Sequence, residues 1–299
     1  MTTLHLLSQP IDDWQRGELL FGGDLIVFEQ VPALRELCVL TNQLAGEALG
    51  PVQALHFASS EDNVHDDALD GLRERFRKSA EVTALFCAAL EHVGVDLERT
   101  CWDWLHLRIQ LPERAVGRDR GSLGFHRDTW SSNVYAQTNW WTPISPLTSE
   151  RTIAFYPAYW SRSLANTSAD WDLDVIRARR RSARLTQKPI DVPLVPEPRE
   201  PVDTSSELRM VIQPGDLLCF SGAHLHASVP NTSDRARLSV EVRTVNLDDL
   251  ARFRQAPNVD GRAPRLALGW FRRIPDEQPL TDLEEAKAPV PSGSAERTR

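Results

Sequence analysis

Two short stretches, far apart in the chain, hold the side chains best suited to chemistry. His126-Arg127-Asp128 sets an imidazole and a carboxylate two positions apart. In an extended strand, side chains at that spacing leave on the same side. The pair could then take two corners of one octahedral face on a metal ion. A third donor must come from elsewhere, and the return stretch Pro214–Asn231 offers His224 and His226, again two apart. Arg237-Leu238-Ser239 follows, a permanent cation with a hydroxyl beside it; Arg235 is a second guanidinium within reach.

The spacing of His126 and Asp128 says little alone. With 8 His and 42 Asp plus Glu in 299 residues, chance supplies roughly one His-x-Asp/Glu match. A second match exists, His65-Asp66-Asp67. It follows the polar run Ser59–Val64 and precedes a helical pattern, so it reads as a solvated helix start. His126 differs because the return stretch answers it.

Elements must hold these stretches in place. Gly23–Phe28 reads as a short buried strand. Pro32 opens a helix, where its missing N–H is harmless, and Gly50 closes it; Leu37, Leu40, Leu44 and Ala48 supply the buried stripe. A second helix is predicted over 67–78. A third carries Val82, Leu85, Phe86, Ala89, Leu90 and Val93 at helical spacing and ends at Gly94. From Trp102 the period changes to two. Leu105, Leu107 and Ile109 alternate with His106, Arg108 and Gln110, so the apolar face packs under the helices and the polar face points into a cavity. Val134–Trp141, Thr152–Tyr156, Leu208–Ile212, Asp216–Phe220 and Arg237–Val245 are further strands. Pro214-Gly215-Asp216 is the turn into the strand predicted to end near His226. Arg237 and Ser239 share one face of the last strand, with Leu238, Val240 and Val242 on the other. Many strands without an intervening helical repeat predict a jelly-roll, a double-stranded β-helix barrel covered by N-terminal helices.

A single domain is expected over 1–274: a helical layer and first strand over 1–101, a core over 102–246, and a closing segment over 247–274. The Pro-, Glu- and Ser-rich residues 275–299 read as a disordered tail. Residues 166–206 interrupt the core as an insert, a helix over Asn166–Leu185 and then a Pro-rich return that cannot pair as a central strand. Arg177, Arg180, Arg181 and Arg184 form a basic stripe on that helix. It reads as a solvated face paired with Asp172 and Asp174, or as a cover reaching for an anionic substrate. The insert is expected over the mouth above His126 and Asp128, with Trp160 or Trp171 inward. The 51–66 and 113–122 loops are the other candidate covers.

Composition, 41% hydrophobic and 25% charged, is that of an ordinary folded protein. A net charge of −8 and a pI near 5.5 argue against a nucleic-acid partner. The 4 Cys are scattered, without Cys-x-x-Cys spacing, and read as buried thiols in a reducing compartment. No apolar run reaches membrane-spanning length, and the N-terminus lacks a signal-peptide layout, so a cytoplasmic protein acting on a small molecule, away from membranes, is expected.

Taken in order, His126-x-Asp128, His226-Ala227-Ser228-Val229-Pro230-Asn231 and Arg237-x-Ser239, eleven positions on from His226, resemble the iron(II)/2-oxoglutarate-dependent oxygenases. The likeness is to the phytanoyl-CoA hydroxylase-like branch, whose Gly-Asp-apolar strand leads into a His-(Gly/Ala)-Ser-x-Pro-Asn stretch. It covers roughly 102–246 at motif level. The resemblance implies His126, Asp128 and His226 as ligands of Fe(II) in a 2-His-1-carboxylate facial triad. Its register selects His226 over His224 and Arg237 over Arg235. It implies that 2-oxoglutarate chelates the iron and sets its far carboxylate on Arg237, with Ser239 nearby and Asn139 or Gln137 as further supports. O2 would take the remaining iron position, and succinate and CO2 would leave. Halogenating relatives have a small residue at the carboxylate position, so Asp128 points to hydroxylation, desaturation or ring closure.

Arg108, Trp130, Asn133 and Trp141 are the candidate substrate contacts, with Arg151 a further cavity candidate. A polar face of His106, Arg108 and Gln110 suits a small polar metabolite, and the family analogy suggests natural-product tailoring. The alternatives are a cupin-like metalloenzyme without 2-oxoglutarate and a non-catalytic jelly-roll binding protein. Arg237-x-Ser239 argues against the first and the intact triad against the second.

Overall fold

Strand β10 (Arg237–Asn246) is the longest among the described residues and organises the fold. The computed structural model describes residues 2–50, 64–113, 121–186 and 193–287. One edge of β10 pairs antiparallel with β4 (His106–Gln110) and then β3 (Thr100–Trp102), and the other with β5 (Gln137–Pro143). Beyond β5 lie β8 (Leu217–Ser221), β2 (Leu25–Phe28) and β1 (Leu4–Leu7), the last in parallel with β2. The two-residue β11 (Arg272–Arg273) closes the far edge on β3. A second, three-stranded sheet orders β7 (Leu208–Met210), β6 (Ile153–Phe155) and β9 (His226–Ser228).

Alternation along β10 and its neighbours divides the sheet's two faces. Leu107, Ile109, Leu238, Val240, Val242, Trp140 and Cys219 point outward and are buried under helices α1 (Asp13–Gly22), α2 (Pro32–Leu49), α3 (Val64–Lys78) and α4 (Ala80–His92). Burying a large apolar side chain in that layer contributes about 1.5–3 kcal/mol each. On the opposite face Leu25, Val27, Trp141, Leu218 and Phe220 meet Ile153, Phe155 and Met210 of the smaller sheet, so the two sheets face one another. Between them, where the face turns polar, lies the cavity described below.

This is a β fold flanked by helices. The expected barrel is not closed: among the described residues the hydrogen-bonded strands form two open sheets. The strand expected to run from 216 to His226 is broken. β8 ends at Ser221, the chain turns through Gly222–Leu225, and His226 begins β9 in the other sheet. The buried stripe of α2 also differs, centring on Leu34, Leu37, Cys38, Thr41, Ala45 and Leu49, with Leu40, Leu44 and Ala48 at its margin. Cys38 on this stripe reaches Pro143 O at the end of β5.

Residues 275–287 are not a disordered tail. Leu280 and Leu283 are buried with Phe271, Val245 and Leu247, and two short 3-10 turns hold them there. The two leucines are set in polar sequence, which hid them. Residues 288–299 lie outside the described residues. Leu280→Ala should destabilise the protein by about 2–5 kcal/mol, read as a lower urea midpoint; an unchanged midpoint would mean this segment is not part of the core.

All four cysteines are free, with Cys38, Cys101 and Cys219 buried. Among the described residues, no helix is long and apolar enough to cross a membrane.

Candidate metal centre

The two histidines are joined through their backbones. His126 and His226 form an isolated antiparallel bridge, with His126 N donating to His226 O at 2.9 Å and His226 N to His126 O at 3.0 Å. That pairing sets the imidazoles side by side, ring centroids 4.2 Å apart. Each Nδ1 faces a carbonyl, of Gly124 for His126 (2.8 Å) and of His224 for His226 (3.0 Å). A carbonyl can only accept, so Nδ1 carries the proton and each Nε2 keeps its lone pair. Burial, then the neighbouring His226, pushes His126 down to about 4, which keeps it neutral and able to ligate.

Asp128 reaches the same point by another route. His126 and Asp128 were expected to share a strand face. Instead Asp128 has helical backbone angles (φ −64°, ψ −30°) and caps the short helix α5 (Thr129–Ser132). Its carboxylate makes no capping bond; it turns inward, with Oδ2 3.8 Å from His226 Nε2. Donor atoms of His126, Asp128 and His226 all lie within 4.8 Å of one another, the single such group among the described residues. Two imidazoles with Nε2 turned to one point and a carboxylate suit a divalent first-row ion with open positions. His224 stands apart: its ring nitrogens face the carbonyls of Ser221 and Gly23, and Trp160 packs on it at 4.4 Å.

Asn139 and Gln137 stand behind the carboxylate. Asn139 Nδ2 donates to Asp128 Oδ2, and Gln137 Nε2 donates to Asn139 Oδ1 at 2.8 Å. Gly222 lets this pair pack closely, since a Cβ there would sit 2.8 Å from Gln137 Nε2. Asn139 still lines the cavity; Gln137 does not. Such supports orient a ligand. Asn139→Leu should therefore weaken metal binding about ten- to a hundredfold, measured by competition with a chromogenic chelator; full affinity in the variant would remove Asn139 from this role.

The triad opens into a cavity of about 220 Å³. Arg237 lines it, 3% exposed, with Nη1 on Thr152 O at 2.7 Å and its guanidinium over the Trp141 ring. Its Nε has no hydrogen-bond partner, nor does Ser239 Oγ beside it. Burial pulls Arg237 down to about 10, which leaves it charged at neutral pH. A buried cation with an idle donor, and among the described residues no carboxylate bonded to it, Glu241 acting only at longer range, is a site for an anionic ligand. Arg235 is exposed outside the cavity.

The substrate candidates divide. Arg108 and Trp141 line the cavity, Arg108 being paired with Glu241. Trp130 does not: it is fully buried in another cluster, its Nε1 on Asp260 Oδ1 at 2.7 Å. Asn133 ends α5 in a left-handed conformation and bonds Ala263 O, away from the cavity. Arg151 bonds Pro146 O and also lies outside. Sequence reading missed Glu241 and Arg243, although they continue the face of Arg237 and Ser239 at the same period of two. Against the burial that would raise it, Arg108 holds Glu241 down to about 2. Arg243 is braced by Asp103 at 2.7 Å, and Asp103 also meets His106. Residue type alone did not mark Asp103, which is held by that network.

The insert lies against the site. Helix α6 (Leu173–Thr186) and the return beyond it contribute Leu173, Ile176, Arg177, Arg180, Leu194 and Val195 to the cavity, and Trp171 joins them. Trp160 sits on His224 instead. The alternative covers, 51–66 and 113–122, fall largely outside the described residues. The helix of the insert starts at Leu173, later than expected, because Asn166 and Thr167 are tied to the Glu197–Arg199 return. His65-Asp66-Asp67 lies in the first turn of α3, as expected of a helix start.

No protein-family model matches the chain, and no curated protein does. Among solved structures it is similar to EvdO2 from Micromonospora carbonacea var. aurantiaca complexed with 2-oxoglutarate, at 15% identity and a TM-score of 0.47, over 80% of this chain and 93% of that one. It is similar to the non-heme alpha ketoglutarate dependent carbocyclase SnoK from nogalamycin biosynthesis, at 11% identity and TM-score 0.41, over 80% and 87%. AviO1 from Streptomyces viridochromogenes Tue57 matches at 14% identity and TM-score 0.37, over 74% and 89%. These are distant likenesses of outline.

Proposed function

We propose that the chain is an iron(II)- and 2-oxoglutarate-dependent dioxygenase that hydroxylates a small polar molecule, on a double-stranded β-helix scaffold. One observation carries this reading: the His126, Asp128 and His226 donors share a cavity with the buried Arg237, to which no carboxylate among the described residues is bonded. A metalloenzyme without a dicarboxylate cosubstrate would have no use for that cation, and its burial would be a net loss.

The residues fit the groups this reading implies. His126, Asp128 and His226 would hold the iron, and Arg237 with Ser239 would hold the far carboxylate of 2-oxoglutarate. Bound iron would supply open coordination positions where 2-oxoglutarate and O2 meet, coupling the cosubstrate's decarboxylation to oxidation of the substrate. The protein's part is placement. The backbone bridge fixes the histidines, Asn139 turns Asp128, and Arg237 offers a planar two-pronged grip. Phe155 and Phe220 flank His226, with ring centroids at 5.7 and 5.2 Å, and keep water from that side.

Anaerobic titration with Fe(II) and then 2-oxoglutarate tests the reading without knowledge of the substrate. A visible charge-transfer band that grows with 2-oxoglutarate and saturates at one equivalent is expected. Iron binding without such a band would favour the cupin-like alternative; no iron binding would leave the binding protein.

A further inference from the structure

We propose that Arg127, held by Asp260, is a positioning residue for the metal centre: its guanidinium fixes the turn carrying His126 and Asp128 against the loop that delivers His226. This rests on the metal-binding part of the reading above and not on 2-oxoglutarate.

Arg127 stands between two of the three ligands in sequence. Its side chain is fully buried and does not line the cavity, so it acts on the protein and not on a ligand. Nη1 donates to Ala223 O, and Nη2 donates to Tyr159 O and Arg162 O, both at 2.8 Å. Ala223 belongs to the Gly222–Leu225 turn, where the chain leaves β8 and arrives at His226 in β9. One planar fork therefore ties the turn of the first two ligands to the approach of the third. Buried carbonyls need donors, and a shorter side chain could not meet three of them from separate turns.

Unlike Arg237, this cation is matched. Asp260 Oδ2 lies 3.3 Å from Arg127 Nε, an ion pair without an aligned hydrogen bond. Asp260 is itself fixed: Trp130 Nε1 donates to Oδ1 at 2.7 Å, and Leu164 N to Oδ2 at 3.0 Å. Trp130 belongs to α5, the helix that Asp128 caps, so the carboxylate holds the same turn by a second point. Asn258, two residues before Asp260, donates from Nδ2 to Ala223 O at 3.3 Å, the carbonyl that Arg127 also takes. Gly261 permits this approach, since a Cβ there would stand 2.8 Å from Thr129 O and from Tyr135 Oη.

Stability alone does not call for such a pair. A buried ion pair is often no better than apolar residues of the same volume, but its charge-assisted bonds give direction. Direction is what Asp128 lacks otherwise. The backbone bridge joins His126 to His226, while Asp128 lies beyond it, on the turn that Arg127 and Asp260 hold.

Co(II) titrated into the full chain tests this, because its visible bands report the number and geometry of its ligands. Competition with a chromogenic chelator gives the affinity. Arg127→Gln should bind Co(II) about ten- to a hundredfold more weakly, with altered bands. Arg127→Lys, which can still pair with Asp260, should recover part of both. Asp260→Asn removes the charge at nearly constant shape and should move the bands in the same sense. The Arg127→Gln/Asp260→Asn double variant should bind no more weakly than Arg127→Gln, because both changes break one contact. Leu280→Ala, in a different cluster, should keep the parent's affinity and bands despite its lower stability. Parent-like affinity and bands in Arg127→Gln would overturn the proposal; if that variant does not fold, the same result in Asp260→Asn does so. An equal loss in Leu280→Ala would also overturn it, by showing that any loss of stability reaches the metal. A parent that binds no metal would remove the centre and this role together. Binding of 2-oxoglutarate enters none of these readouts, so failure of the proposed reaction and failure of this role are told apart.

Discussion

His226→Ala should lose metal binding while His224→Ala keeps it. The two histidines are two residues apart, but only His226 lies within donor distance of Asp128 and His126; His224 is engaged with backbone carbonyls under Trp160. A structural zinc site of four ligands binds with about 10–16 kcal/mol, roughly 3 kcal/mol per ligand, so removing one should weaken binding about a hundredfold. Fold is not at stake, because the His126–His226 bridge uses backbone atoms that alanine retains. Equilibrium metal titration of both variants, with circular dichroism as the control, decides it. A His224→Ala variant that loses the metal while His226→Ala keeps it would falsify the assigned triad.

Arg237→Lys should bind 2-oxoglutarate about ten- to a hundredfold more weakly, the loss of a charge-assisted pair worth about 1.5–3 kcal/mol. Lysine preserves the charge but not the planar fork, and its ammonium is the more strongly hydrated. Arg237→Met separates grip from stability. The guanidinium is buried with no carboxylate among the described residues bonded to it, so the ligand-free variant should melt at or above the parent's temperature while losing the cosubstrate. Thermal scans with and without 2-oxoglutarate read both effects. Parent-like stabilisation by 2-oxoglutarate in either variant would place the cosubstrate's far carboxylate elsewhere.

The site was more legible than the backbone that builds it. Histidine, aspartate and arginine announce themselves by type, and the period of two in 105–110 and 237–243 put their faces in order. The local geometry of Asp128 was not legible, because α5 is only four residues long and shows no helical period. Trp130 and Asn133 were misplaced for a related reason. Their partners, Asp260 and Ala263, lie 130 positions away, and no local pattern foretells such a contact. The break at Gly222–Leu225 was hidden because Leu217–Phe220 runs apolar up to it and Ala223 and Leu225 keep up a strand-like alternation through it. Closure of the barrel was expected from strand count, but closure depends on edge pairing, which strand count does not contain.

Strand β10 acts as a ruler. Arg237, Ser239, Glu241 and Arg243 stand on one face of it, and a strand advances about 3.4 Å per residue, so their spacing is fixed in steps of about 6.8 Å. Neighbours on both edges hold it, and sliding it by one residue would turn every one of these side chains into the helical layer. Variation along this ruler is therefore nearly closed to gradual change. Helix α6 touches the same cavity but lies outside both sheets. Exchanging α6 for another segment could redirect the protein to a new molecule while the graduations that place the chemistry stay where they are.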